Sequence, residues 1–182
     1  MASKFLDLVS ENAPDFDLEV QLAHKLMPFE RRFLLSPNLW RNKPTTVQLN
    51  WTSYKFTKEN KNSIPEEKGI YMFVVSHKAD WIPENNYILY VGQTGYKKPH
   101  RTLKVRYQDY LNDQKSSRDR KKINEMLNLW KDDIYFVCST VPPRTHLGKL
   151  EARLTECLIP PYSEGDIPVG EIKKAIKVLR NP

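Results

Sequence analysis

Apolar positions along the chain recur with two different periods, and the change of period marks the elements. Between residues 16 and 27, Leu18, Leu22 and Leu26 return every fourth position behind Asp15 and Asp17, which predicts a short amphipathic helix stopped by Pro28. Residues 45–56 alternate apolar and polar at Val47, Leu49 and Trp51 and predict a strand. The polar stretch 58–68, with Pro65, reads as a surface loop. Residues 69–76 (GIYMFVVS) form a β-branched and aromatic run and predict a buried strand. After a polar loop at 77–86 containing Pro83, residues 87–92 (YILYVG) form a second run closed by Gly92, so the pair predicts an antiparallel hairpin.

The period then lengthens. Leu103, Tyr107, Tyr110 and Leu111 share one face of a helix at 102–113, and Ile123, Met126, Leu127 and Trp130 do so at 117–130. A third strand follows at 133–141, then a helix at 146–158 carrying Leu147, Leu150, Leu154 and Leu158 and ended by Pro160 and Pro161. A basic amphipathic helix at 170–180 closes the series. Three strands are too few for a doubly wound sheet. The expected fold is therefore α+β: a small central, mostly antiparallel three-stranded sheet flanked by helices. An accessory segment over residues 1–62 is expected to precede a main domain over 63–182.

Composition narrows the classes. Of 182 residues, 40% are hydrophobic, enough for one core. The start of the chain lacks the basic and apolar pattern of a secretory leader, and no apolar run is long enough to span a membrane, so a cytoplasmic protein is expected. Cys138 and Cys157 lack zinc-binding spacing and are expected as buried free thiols. His24, His77, His100 and His146 show no ligand spacing either. Charge is uneven. Residues 1–60 hold eight Lys/Arg against seven Asp/Glu, whereas 61–182 hold 21 against 15. The excess gathers at 97–122, where Lys97, Lys98, Arg101, Lys104, Arg106, Lys115, Arg118, Arg120, Lys121 and Lys122 face only Asp109, Asp113 and Asp119. Such a cluster is either a solvated helical face or the footprint of a polyanion.

Motifs on either side of the cluster favour the polyanion. One strand opens Gly69-Ile70-Tyr71 and the next ends Tyr90-Val91-Gly92, followed by Gln93-Thr94-Gly95. Arg106 and Tyr110 follow at helical i,i+4 spacing, Glu151 sits in a later helix, and Pro160-Pro161-Tyr162 precedes Ser163. Over residues 67–167 this order resembles the GIY-YIG nucleases, with Val91 for the usual Ile and Ser163 where relatives commonly carry Asn.

The resemblance implies a metal-dependent endonuclease acting on DNA, with RNA open as a substrate. It implies Glu151 as the ligand of one Mg²⁺ or Mn²⁺ and Arg106 on the phosphate oxygens. Tyr71 is implied as general base, Tyr90 as a second phenol near the attacking water, and Tyr110 as a donor to the phosphate or a packing residue. Gly69, Gly92 and Ser163 would support the motif. Independently of the family, Arg suits phosphate because its planar fork bonds two oxygens and stays charged, and one carboxylate can hold a Mg²⁺ that keeps most of its waters. A phenol with a free pKa of about 10 needs help to act as a base. The ten basic residues, chiefly Lys97, Lys98, Arg101, Lys104, Lys115, Arg118, Arg120, Lys121 and Lys122, are expected to hold the backbone. The N-terminal segment would contact DNA or a partner, with a homodimer or a larger complex left open and no membrane partner. A restriction or defence role is favoured; the alternative is an impaired GIY-YIG subunit that binds DNA without cutting it.

Overall fold

One strand with alternating side chains separates two apolar cores. A computed structural model describes residues 15–41, 45–95, 100–116, 120–163, 167 and 170–180. Its strands are β1 (Thr52–Lys55), β2 (Gly69–Ala79), β3 (Ile82–Gln93) and β4 (Ile134–Thr140), and its helices are α1 (Asp15–Leu26), α2 (Pro37–Arg41), α3 (Leu103–Lys115), α4 (Lys121–Leu129), α5 (Leu147–Leu158) and α6 (Glu171–Arg180). The strands form one sheet in the order β1-β4-β2-β3, antiparallel throughout. Successive residues of a strand point to opposite faces. Tyr71 and Phe73 accordingly enter a core with Phe136, Leu103, Tyr107, Tyr110, Met126 and Leu127 beneath α3 and α4. Ile70, Met72 and Val74 enter the opposite core with Leu150 and Leu154 of α5. The α+β class read from the sequence is the observed one.

The sheet has four strands, not three. Residues 52–55 pair with β4 in the register Thr52↔Cys138 and Tyr54↔Phe136, although the alternation that suggested a strand lies just before them, at Val47, Leu49 and Trp51. Of these, Leu49 packs against the α5-side core. Tyr107 of α3 secures the turn after β1: its hydroxyl donates to the Thr57 carbonyl at 2.7 Å and accepts from the Thr57 amide at 2.9 Å. The polar stretch 77–86, read as a loop, is mostly strand, since His77 pairs with Asn85 and Ala79 with Ile82. Pro83 is tolerated because β3 is the sheet edge, where a missing N–H breaks no ladder on the open side.

The chain divides into two compact units at Arg32/Phe33. The first contains α1, which forms where the leucine spacing predicts, followed by a short 3-10 turn with Pro28 near its start. The second contains the whole sheet, so the boundary expected at residue 62 falls inside it, within a 3-10 turn at Glu59–Ser63 that links β1 to β2. Pairing of β1 with β4 is the physical reason. Both cysteines are buried and free, and no described helix is long and apolar enough to cross a membrane.

Candidate active site

The hairpin motifs meet side by side. Tyr71 pairs with Gly92 and Phe73 with Tyr90. A register shift between Phe73 and Val74 leaves Leu89 as an extra residue in β3. This bulge turns Leu89 and Tyr90 toward the same core, while Ile88, two residues before Tyr90, packs on the opposite face. Under regular alternation through Leu89, Tyr90 would share the side of Ile88. Gly92 has a separate task, because a Cβ there would collide with the Tyr71 phenol. The pairing of Tyr71 with a glycine thus opens the space in which its ring lies. Thr94 fastens the far end of the hairpin: its Oγ accepts from the Gly69 amide at 2.9 Å and its amide donates to the Gly69 carbonyl at 3.0 Å.

Helix α3 is set against this hairpin from its first turn. Thr102 caps it by accepting from Val105 N, and the amides of Leu103 and Lys104 donate to the carbonyls of Glu67 and Pro65, just before β2. Arg106 and Tyr110, one turn apart, then reach Tyr71. The Tyr71 and Tyr110 hydroxyls are 2.8 Å apart. Arg106 donates through Nε to Tyr71 Oη at 3.0 Å and through Nη2 to Tyr110 Oη at 3.2 Å. Helix α4 folds back onto α3, where Asn124 and Asn128 donate to the carbonyls of Asp113 and Gln114. That return brings Arg120 to Tyr110 as well, donating through Nη2 at 3.2 Å. The two guanidinium carbons lie 4.7 and 4.8 Å from the Tyr110 ring centre.

Hydrogen-bond capacity fixes the direction of this network. A phenol oxygen accepts at most two hydrogen bonds and donates one. Tyr110 Oη accepts from both arginines, so it donates to Tyr71. Tyr71 Oη then accepts from Tyr110 and Arg106, and its own O–H is not spent on either of them. Burial pushes the Tyr71 hydroxyl well above its ordinary pKa, Tyr110 and Tyr90 raise it further, and the opposing pull of Arg106 does not compensate. Tyr71 thus has both acceptor sites filled, whereas a phenol acting as the general base that the resemblance implies needs a lowered pKa. Burial disfavours the charged form of Arg106, but the oxygens of Tyr71 and Tyr110 outweigh it, and Arg106 stays protonated.

Exposure decides which groups meet a ligand. Tyr71 and Tyr110 are sealed, at 1% and 0% exposed, whereas the side chains of Arg106 and Arg120 retain 15% and 28%. The guanidiniums are therefore the outward face of the group and the phenols its backing. Arg106 lies 3.5 Å from Asp109, Arg101 2.6 Å from the same carboxylate, and Arg120 2.8 Å from Asp113. Within this set, three guanidiniums against two carboxylates leave one positive charge over. Tyr90 is also buried, its ring 6.4 Å from those of both Tyr71 and Tyr110.

Glu151 stands on α5 and is half-buried. Leu147, Leu150 and Leu154 are the buried stripe of that helix, so Glu151 rides one flank of it with Thr155, one turn on. The Thr155 hydroxyl is buried with no hydrogen-bond partner among the described residues. After α5 the chain runs along the open edge of β3: Tyr162 N donates to the Leu89 carbonyl at 3.0 Å, and Ser163 Oγ accepts from Val91 N at 3.0 Å and donates to Val91 O at 3.3 Å. Ser163 thus closes the sheet edge beside Tyr90.

The described part of the basic cluster is not one uniform surface. Arg106 and Arg120 bond the buried phenols, Arg101 pairs with Asp109, and Lys104 pairs with Glu66 at 2.6 Å. Lys115, Lys121 and Lys122 are exposed, and Lys97, Lys98 and Arg118 lie outside the described residues. The bond from Arg120 to Tyr110 escapes sequence reasoning, since ten residues across a helix–helix turn carry no periodicity. Compared with known proteins, the chain matches no family model, no curated protein and no solved structure.

Proposed function

We propose that the protein hydrolyses phosphodiester bonds of nucleic acid, duplex DNA first among them, as an endonuclease resembling the GIY-YIG type. The observation that carries this reading is the pair of guanidiniums from Arg106 and Arg120, held by buried phenols against the hairpin that bears the two motif triplets. Phosphoryl transfer is accelerated mainly by preorganised positive groups aimed at the developing charge. Arg106 and Arg120 are oriented for that before any substrate arrives. Tyr71 and Tyr110 act as positioning residues behind them. Lys115, Lys121 and Lys122 would hold the flanking backbone. A restriction or defence setting is the biological role proposed.

Among the described residues no group of three or more His, Cys, Asp or Glu could hold a metal. The half-buried carboxylate of Glu151 is a hard oxygen donor of the kind that suits Mg²⁺ or Mn²⁺, ions that keep most of their waters on a single protein carboxylate. Glu151 would be the protein ligand. When bound, such an ion supplies an acidified water and neutralises charge on the phosphoryl oxygens.

The sealing of Tyr71 favours a second reading, a GIY-YIG-like subunit that binds DNA without cutting. Nicking of a supercoiled plasmid in Mg²⁺ separates the two. The endonuclease reading expects conversion to open-circular or linear DNA by the wild type, and none by Glu151→Gln at unchanged DNA affinity. Equal cutting by both proteins removes Glu151 from the mechanism. Tight binding with no cutting by the wild type leaves the binding subunit.

A further inference from the structure

Two adjoining clefts open where β4 passes into α5, lined by neither Arg106 nor Arg120. One, of about 290 Å³, is lined by Lys68, Gly95, residues 141–145, His146 and Leu147. The other, of about 420 Å³, is lined by residues 45–47, Pro142, Arg144, Thr145, His146, Lys149, Leu150 and Arg153. They share Pro142, Arg144, Thr145 and His146, so they adjoin along one wall and make up one depressed region. Its charged lining is of one sign: Lys68, Arg144, Lys149 and Arg153, with no Asp or Glu among the lining residues of either cleft. Thr45, Thr46 and Thr145 add short hydroxyl groups. The first turn of α5 contributes no acidic side chain to oppose an anion.

Its position makes it a separate site. Lys149 and Arg153 are one helical turn apart and share a flank of α5, while Glu151, two residues from each, points about 160° away around the helix. The cleft and Glu151 therefore lie on opposite flanks of the same helix. At its other end the cleft reaches Lys68, the residue before Gly69, and Gly95, the residue after Thr94, which bonds Gly69. The depression thus begins at the end of the hairpin that carries both motif triplets and runs to the far side of α5.

The geometry points to this cleft as a second anchor for the phosphodiester backbone of a nucleic-acid strand, independent of the basic cluster at 97–122. Like charges held around one open depression repel each other, and a chain of phosphates relieves that repulsion while releasing its own counterions. The hydroxyls supply neutral donors to the same phosphates without reading bases. This deepens the nuclease reading and rests on it for the choice of nucleic acid as the polyanion, but its test does not depend on cutting.

The experiment is a salt titration of a fluorescent 20-base-pair duplex in EDTA, where metal-dependent hydrolysis is silent. The double variant Arg144→Ala/Lys149→Ala is compared with wild type and with the charge-keeping Arg144→Lys/Lys149→Arg. Both positions are exposed, so the fold should persist, and the melting temperature checks it. Losing two phosphate contacts should lower the slope of log affinity against log salt by about 1.8, with the charge-keeping variant near wild type. Coincident slopes for all three proteins would overturn the anchor, as would binding of the wild type to anionic phospholipid vesicles in preference to the duplex. A lowered slope in a protein that never nicks a plasmid keeps the anchor and rejects the nuclease; an unchanged slope in one that does nick keeps the nuclease and rejects the anchor.

Discussion

Arg106 and Arg120 donate to the same atom, Tyr110 Oη, each at 3.2 Å. Arg106 comes from α3 and Arg120 from the cap residue that precedes α4. Removing the shared oxygen with Tyr110→Phe leaves two partly buried guanidiniums short of an acceptor. Hydrogen bonds to charged groups contribute about 1.5–3 kcal/mol each, so Tyr110→Phe should destabilise the protein by at least that range's lower end. Combined with Arg120→Ala in a double-mutant cycle from urea denaturation, the pair should show a coupling of roughly 0.5–3 kcal/mol. Additive effects would mean that Arg120 and Tyr110 are neighbours without a working bond.

Gly92→Ala tests the space reserved for Tyr71. The added methyl must displace the phenol ring or bend β3, and overpacking of this kind typically costs about 1–3 kcal/mol. Because Tyr71 orients Arg106, plasmid nicking should fall together with stability. Gly170→Ala, where an added Cβ meets nothing within 4 Å, is the control. If the Gly92→Ala protein is as stable and as active as the control, the Tyr71 ring is not fixed by its glycine partner.

Those two variants also show what could be read in the sequence. Both triplets, Arg106 with Tyr110, and the α5 and β4 patterns were legible because period and motif order depend on local spacing. The bulge at Leu89 was not, because one unpaired residue leaves an apolar run looking continuous. The strand ends at 77–79 and 82–86 were hidden because exposed polar residues such as His77, Lys78, Glu84, Asn85 and Asn86 carry no apolar alternation. The partnership of Arg120 with Tyr110 exists only after α4 folds back on α3. Burial of Tyr71 likewise depends on the packing of α3 over the hairpin, which no three-residue string encodes.

Alkaline pH should weaken the fold through Cys138. Burial raises this thiol from 9.0 to about 12. The unfolded thiol ionises first as pH passes 9, so stability is full below that value and is lost as pH rises toward 12, by about 1.4 kcal/mol per pH unit for one group. Urea midpoints at pH 7.5, 8.5 and 9.5 should show the wild type bending downward at the last step. Cys138→Ala should be less stable throughout but flatter across that step. Parallel curves for the two proteins would mean that the thiol ionises as readily folded as unfolded.

The central claim is that Arg106 faces the reacting phosphate as a forked guanidinium held by Tyr71 and Tyr110. Its most direct test is the single-turnover rate of duplex cleavage in Mg²⁺ at saturating enzyme, for wild type, Arg106→Ala and Arg106→Lys. Loss of one donor aimed at developing charge should slow Arg106→Ala by about 10²–10³-fold, and Lys should recover little of it, because an ammonium cannot span two oxygens. Cleavage by Arg106→Ala within a few-fold of wild type, or full recovery by Arg106→Lys, would contradict it.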